Sequence, residues 1–228
     1  MAMRLKEIKG NIPGTAYESI RKSGIDELRP GQEKAIHAGL LDGKNLLVCT
    51  PTASGKTLIA ELCATKAILE GRGKAIYICP LKALASEKYR DMKERYKGQF
   101  NIAIAIGNMD SKDSYLSDYD MIICTSEKLD SLMRHHSPWL RQVAVVIIDE
   151  IHLLNDAGRG PTLEIIITIL SQMKNIQIIG LSATIGNEKE LAGWLNANLI
   201  HDEWRPVKLH KGIYFNGELE YEKESRKK

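Results

Sequence analysis

No two of the four cysteines, Cys49, Cys63, Cys79 and Cys124, form a C-x-x-C pair, so the sequence offers no zinc-binding pattern. Three of them close short apolar runs, "LLVC", "IYIC" and "MIIC", which reads as small buried hydrophobes in a reducing compartment. No apolar stretch approaches the length of about 18 residues that a membrane span needs. The opening "MAMRLKEIKG" lacks the apolar centre of a secretion signal, so a cytoplasmic protein is expected, with no membrane partner. Repeats and low-complexity segments are missing. Strong charge of one sign is missing too: a net charge of +3 is too small to mark a nucleic-acid surface by itself. What remains is 228 residues, 43% apolar and 27% charged, enough to bury a core without staples.

The chain alternates short apolar runs with longer periodic segments. Candidate strands cover 45–49, 74–79, 101–106, 120–124, 143–148 and 176–181. Candidate helices cover 31–41, 56–70, 82–96, 126–135, 161–173 and 187–196. Several strands are apolar at consecutive positions, as strands covered on both faces must be. Strand–helix–strand repetition predicts an α/β fold with a mostly parallel sheet and helices on both faces. Such sheets bind ligands beyond the carboxyl ends of their strands. Before residue 30 the spacing predicts a short helix and turn. After 200 the alternation decays into a strand, a turn and a charged tail.

One strand end is rich in chemistry. After "NLLVC" come Thr50, Pro51, Thr52, Ala53, Ser54, Gly55, Lys56 and Thr57, which fit a phosphate loop with Thr in place of the usual first Gly. Small residues let successive N–H groups converge on phosphate oxygens, and the next helix adds its positive end. Lys56 suits the β- and γ-phosphates of ATP, and the Thr57 hydroxyl suits Mg²⁺. The strand "VAVVII" ends in Asp149 and Glu150. At the same sheet edge, Asp149 suits Mg²⁺ through its waters, and Glu150 suits the attacking water. Taken alone, that acidic pair also reads as a helix start. The phosphate loop upstream favours hydrolysis.

Asp149-Glu150-Ile151-His152 is a DExH box, and Ser182-Ala183-Thr184 ends the next strand. With the Thr-first loop these resemble motifs I, II and III of superfamily 2 helicases. "PLKALASEKY" resembles motif Ia and "TSEKLDSLMRH" motif Ib. "GRGPTLE", "LSATIGNEKELAGWL" and "WRPVKL" match one branch, the archaeal DNA-repair helicases of the Holliday-junction-migration type. The resemblance implies a RecA-like domain that binds ATP and Mg²⁺. It makes Gln32 of "LRPGQEKAI" the reader of the adenine edge, although the residue type alone reads as an exposed helix glutamine. It gives His152, Ser182, Ala183 and Thr184 the coupling between hydrolysis and strand grip. Ser and Thr there would equally suit a helix cap. It has Pro80, Leu81 and Lys82, and Thr125, Ser126, Glu127 and Lys128, contacting a nucleic-acid backbone. "TSEK" also resembles a capping box.

One departure is Asn108, where the family has Asp after Gly107. A larger one is that motifs IV, V and VI are not found. The expected organisation is an N-terminal lead-in over 1–30, a RecA-like domain over 31–202, and over 203–228 a strand and linker toward a second RecA-like domain. The expected function is the first motor domain of an ATP-dependent 3′-to-5′ helicase acting on single-stranded or forked DNA in repair and fork restart, inactive as a helicase alone. An RNA helicase of the same superfamily remains an alternative, because a backbone grip ignores the base. A stand-alone nucleotide- or nucleic-acid-binding module is another.

Overall fold

The computed structural model describes residues 3–107, 114–208, 210 and 212–221. Asn108, Leu209 of "WRPVKL" and the last residues of the charged tail lie outside that set. Seven parallel strands form one sheet: β1 (Leu46–Cys49), β2 (Lys74–Cys79), β3 (Ile102–Ala105), β4 (Met121–Thr125), β5 (Val143–Ile148), β6 (Gln177–Ser182) and β7 (Asn198–His201). Their order across the sheet is β3-β4-β2-β5-β6-β1-β7. Every residue of β1, β2, β4, β5 and β6 is buried. The consecutive apolar runs follow from that, since successive side chains enter opposite faces and both are covered.

On one face Leu46, Val48, Tyr77, Val145, Ile147, Ile179 and Leu181 pack with residues of α1 (Gly14–Lys22), α2 (Pro30–His37), α3 (Lys56–Leu69) and α4 (Lys82–Arg95). On the other, Leu47, Ile76, Ile122, Val146, Ile148 and Ile178 pack with residues of α5 (Ser126–Arg134), α6 (Gly160–Ser171) and α7 (Glu188–Trp194). Each fully buried aliphatic side chain is worth ~1.5–3 kcal/mol. Leu5, Ile8, Ile20 and Leu28 join the first of these cores, so residues before 30 pack as part of the same body. All four cysteines are free and buried. Burial pushes Cys49, Cys63 and Cys79 up to about 12, which keeps them as thiols.

Three elements differ from the sequence expectation. The helix expected over 31–41 stops at His37, because Gly39 takes φ +95° and a 3-10 turn covers Leu40–Asp42. Strand β7 shows no apolar run because it lies at the sheet edge, where only Ile200 is buried. The single strand expected after 200 is instead an antiparallel hairpin, β8 (Gly212–Phe215) and β9 (Glu218–Tyr221), turned at Asn216 (φ +48°) and Gly217 (φ +86°).

The strand order brings the motifs together. β6 lies between β1 and β5, so Ser182 stands between the loop after Cys49 and the carboxylates after Ile148. Backbone bonds continue the ladder past the strand ends: Thr50 N donates to Ser182 O at 3.2 Å and Asp149 N to Ile78 O at 2.9 Å.

Candidate functional site

The loop after β1 turns through left-handed backbone at Ala53 (φ +64°) and Gly55 (φ +93°). A Cβ at Gly55 would stand 2.4 Å from Gln32 Nε2, so a side chain here would have to displace Gln32 as well as bear the left-handed backbone that glycine adopts freely. Thr50 Oγ1 and Ser54 Oγ share a buried hydrogen bond of 2.7 Å that closes the loop on itself. Lys56 opens α3, and its Nζ donates to Thr50 O at 2.8 Å and Pro51 O at 3.1 Å. Burial lowers the Lys56 ammonium from its ordinary value, while the charges of Glu150 and Asp149 pull against that.

Gln32 is buried, and both ends of its amide are engaged. Nε2 donates to Gly55 O at 2.9 Å and Oε1 accepts from Arg29 N at 2.8 Å. Arg29 Nη1 also donates to Ala53 O, and its guanidinium lies 5.5 Å from the centre of the Trp204 ring. The start of α2 is thereby tied to the phosphate loop at two carbonyls. Sequence reasoning singled out Gln32 and missed Arg29, whose contact spans 24 residues of chain.

Opposite the loop stand the carboxylates. Asp149 Oδ2 accepts from Tyr77 OH at 2.9 Å, and Asp149 Oδ1 from Glu150 N at 3.1 Å. Burial, and then the Asp149 charge, hold the Tyr77 phenol well above its ordinary value, so it remains a donor. The one sequence signal for Tyr77 is a phenol flanked by Ile76 and Ile78 within an apolar run. Glu150 takes left-handed backbone, φ +52° and ψ +47°, where a residue with a Cβ is strained by roughly 1–2 kcal/mol. That twist starts the 3-10 turn Ile151–Asn155 and directs His152 toward β6. His152 Nδ1 lies 3.3 Å from Glu150 Oε2 and 3.4 Å from Ser182 Oγ. Glu150, His152 and Ser182 therefore form one continuous polar path, with Ala183 half-buried and Thr184 exposed beyond it.

Thr52, Lys56, Thr57, Asp149 and Glu150 line one cleft of about 300 Å³. Among the described residues no cluster of three His, Cys, Asp or Glu side chains could hold a metal unaided. The Thr57 hydroxyl and the Asp149 carboxylate are a hard oxygen pair suited to Mg²⁺ that arrives with a phosphate ligand of its own.

Toward the β3 side of the sheet lie the two loops expected to meet nucleic acid. Leu81 and Lys82 are exposed. Leu81 caps α4 without a side-chain bond, so the first N–H groups of α4 remain available. Pro80 O accepts from Arg159 Nη1 at 3.2 Å, which fixes the loop to the start of α6. At the second loop Thr125 Oγ1 accepts from Lys128 N at 3.4 Å, a helix cap. Thr125 and Ser126 are buried, and Lys128 is 1% exposed because it shares the inward side of α5 with Leu129 and Leu132. Of these four residues only Glu127 presents its side chain to solvent. No helix among the described residues is long and apolar enough to cross a membrane.

The model of the DEAD/DEAH box helicase family matches residues 29–191. The chain is similar to three proteins named ATP-dependent DNA helicase Hel308. With that of Pyrococcus abyssi it is 54% identical over 207 residues, 91% of this chain and 29% of the relative. With that of Methanocaldococcus jannaschii it is 55% identical over 211 residues, 90% of this chain and 18% of the relative. With that of Methanocella arvoryzae it is 49% identical over 230 aligned positions, 98% of this chain and 31% of the relative. Among solved structures it is similar to the DUF1998 helicase MrfA bound to DNA, at a TM-score of 0.74 and 26% identity, over 85% of this chain and 30% of that one. The chain thus spans less than a third of the length of each of these proteins.

Proposed function

The chain belongs to the DEAD/DEAH box helicase family, and on that premise we propose that it is the first RecA-like motor domain of an ATP-dependent DNA helicase. ATP enters the cleft after β1. The loop amides and Lys56 take its phosphates, with Lys56 exchanging its bonds to Thr50 O and Pro51 O for phosphate oxygens. Thr57 and Asp149 would hold Mg²⁺, which would supply charge that screens the phosphates. Glu150 orients the attacking water. His152 and Ser182, with Ala183 and Thr184 beyond, pass the state of the cleft to the strand-facing loops. Gln32 reads the adenine edge by exchanging its bonds to Gly55 O and Arg29 N for adenine, and Arg29 braces the loop at Ala53.

The observation that carries this reading is the convergence of Lys56 and Thr57 with Asp149 and Glu150 in one cleft, with His152 between Glu150 and Ser182. DNA as the strand is supported by the names of the relatives and by the DNA in the MrfA structure. We place strand contact at Pro80, Leu81, Lys82 and the open end of α4, with Thr125–Lys128 contributing backbone and the Glu127 surface. A role in repair or fork restart extends the archaeal resemblance. Residues 203–228 are read as the passage to a second motor domain. That domain would supply the charge across the cleft that phosphoryl transfer needs; within this chain Arg29 donates to Ala53 O and Arg159 to Pro80 O, while the charge of Arg205 reaches Lys56. Slow hydrolysis and no unwinding are therefore expected of the 228 residues alone.

The test is a titration of the chain and of Lys56→Ala with a fluorescent ATP analogue, beside thermal melts. Loss of binding with a still cooperative melt, lowered by several degrees at most, is expected, because Lys56 gives up two carbonyl bonds at the cleft and water can serve the released oxygens. Equal binding by both proteins would refute the nucleotide site.

A further inference from the structure

Lys88 lies within the stretch "PLKALASEKY" but received no role there, yet it enters the cleft. Its Nζ donates to Thr57 Oγ1 at 2.8 Å, across 31 residues of chain. It lines the cleft that holds Asp149 and Glu150, and also the neighbouring cavity of about 570 Å³ beside Gln32 and Glu61. It therefore stands on the ridge where the two spaces meet. Its helix is firmly seated: Ala85, one turn before it, is fully buried, and Met92, one turn after it, is 2% exposed. The ammonium thus reaches Thr57 from a fixed base.

The Thr57 hydroxyl is the atom that the proposed function gives to Mg²⁺. An ammonium at 2.8 Å and a divalent ion at about 2.1 Å from one oxygen would stand within roughly 4 Å of each other. In a partly dry cleft that repulsion is strong, so one cation must leave. We infer that Lys88 is a resident cation of the cleft, a positioning residue that holds Thr57 and offers positive charge to the phosphates until a divalent ion displaces it from Thr57. The consequence is a nucleotide site only weakly dependent on metal for binding. Lys88 supplies part of the missing charge when metal is absent and yields when it arrives.

This rests on the nucleotide-site reading above, and the test separates the two. A fluorescent ADP analogue is titrated into the 228-residue chain and into Lys88→Met, each in EDTA and in excess Mg²⁺. For the unaltered chain, removing Mg²⁺ should weaken binding only a few-fold. For Lys88→Met the affinity in EDTA should fall about tenfold or more, the worth of one charge-assisted bond. The affinity in Mg²⁺ should stay within about threefold, since the ion has taken over the Thr57 oxygen. Lys88→Arg should restore most of the EDTA affinity. Lys88→Gln, with melts of all variants, guards against a folding defect in the methionine form. A purely structural role would weaken both conditions alike. The same ratio of EDTA to Mg²⁺ affinity in the unaltered and variant chains overturns the inference and leaves the nucleotide site intact. No binding by the unaltered chain in either condition overturns both.

Discussion

Tyr77→Phe isolates one hydrogen bond at the centre of the proposed site. The ring is fully buried in β2, and its hydroxyl donates to Asp149 Oδ2 at 2.9 Å. Phenylalanine keeps the ring's shape, so no appreciable cavity opens and the change is confined to one oxygen. Hydrogen bonds to charged groups are worth ~1.5–3 kcal/mol, but Asp149 is half-buried and water can serve the released oxygen. The expected loss of stability is therefore about 1 kcal/mol, a fivefold change in the folding equilibrium. The larger effect should fall on the metal. Asp149 is held at both oxygens, by Tyr77 and by the Glu150 N–H. Losing the first frees the carboxylate to rotate, and removing a group that orients a ligand commonly costs 10–100-fold in metal affinity, here taken as roughly tenfold. Urea unfolding reads the first effect. A Mg²⁺ titration of ATP-analogue affinity reads the second, as a tenfold rise in the Mg²⁺ midpoint. A midpoint within twofold of the unaltered chain, with stability reduced as expected, would show that Tyr77 serves the fold only and does not orient Asp149 for the metal.

Two further outcomes are expected. Gly55→Ala should destabilise the chain by about 2–3 kcal/mol in urea unfolding. Left-handed backbone costs alanine roughly 1–2 kcal/mol, and the new Cβ expels Gln32 from a bond worth ~0.5–1.5 kcal/mol. A loss below about 0.5 kcal/mol would mean the loop relaxes freely and is not held by Gln32. The hydrogen bond from His201 to Glu188, 2.9 Å long, raises the imidazole above its ordinary value of 6.5. Because the folded value is the higher one, this stabilisation is complete below 6.5 and disappears as pH rises through the folded value. Thermal melts should therefore show a slightly more stable chain at about pH 6 than at about pH 8, by less than about 1 kcal/mol for so exposed a pair. Glu188→Gln should erase that difference, and its persistence would assign the pH effect elsewhere.

Six of the seven sheet strands were legible because burial on both faces writes itself as consecutive apolar residues, as "VAVVII" does for Val143–Ile148. Strand β7 was not, because an edge strand buries only Ile200 and leaves no run to read. The phosphate loop and the DExH box were legible because each is a contiguous strand end, and the chemistry of Lys56, Thr57, Asp149 and Glu150 needs only that local context. Arg29, Tyr77 and Lys88 were not. Arg29 reaches Ala53 across 24 residues, Tyr77 reaches Asp149 across 72, and Lys88 reaches Thr57 across 31. The burial of Lys128 was not legible either, because a lysine is normally exposed and only the seating of α5 on the sheet turns this one inward.

The sequence by itself determined each strand–loop–helix unit, since hydrophobic period, small loop residues and helix starts act over a few neighbours. It did not determine the order of those units. Ser182 follows the DExH box in the chain, yet β6 inserts between β1 and β5 and places Ser182 beside Thr50 on one side and His152 on the other. Only the packed sheet decides that, because strand order depends on which apolar faces bury together across the whole chain, and no local pattern records it.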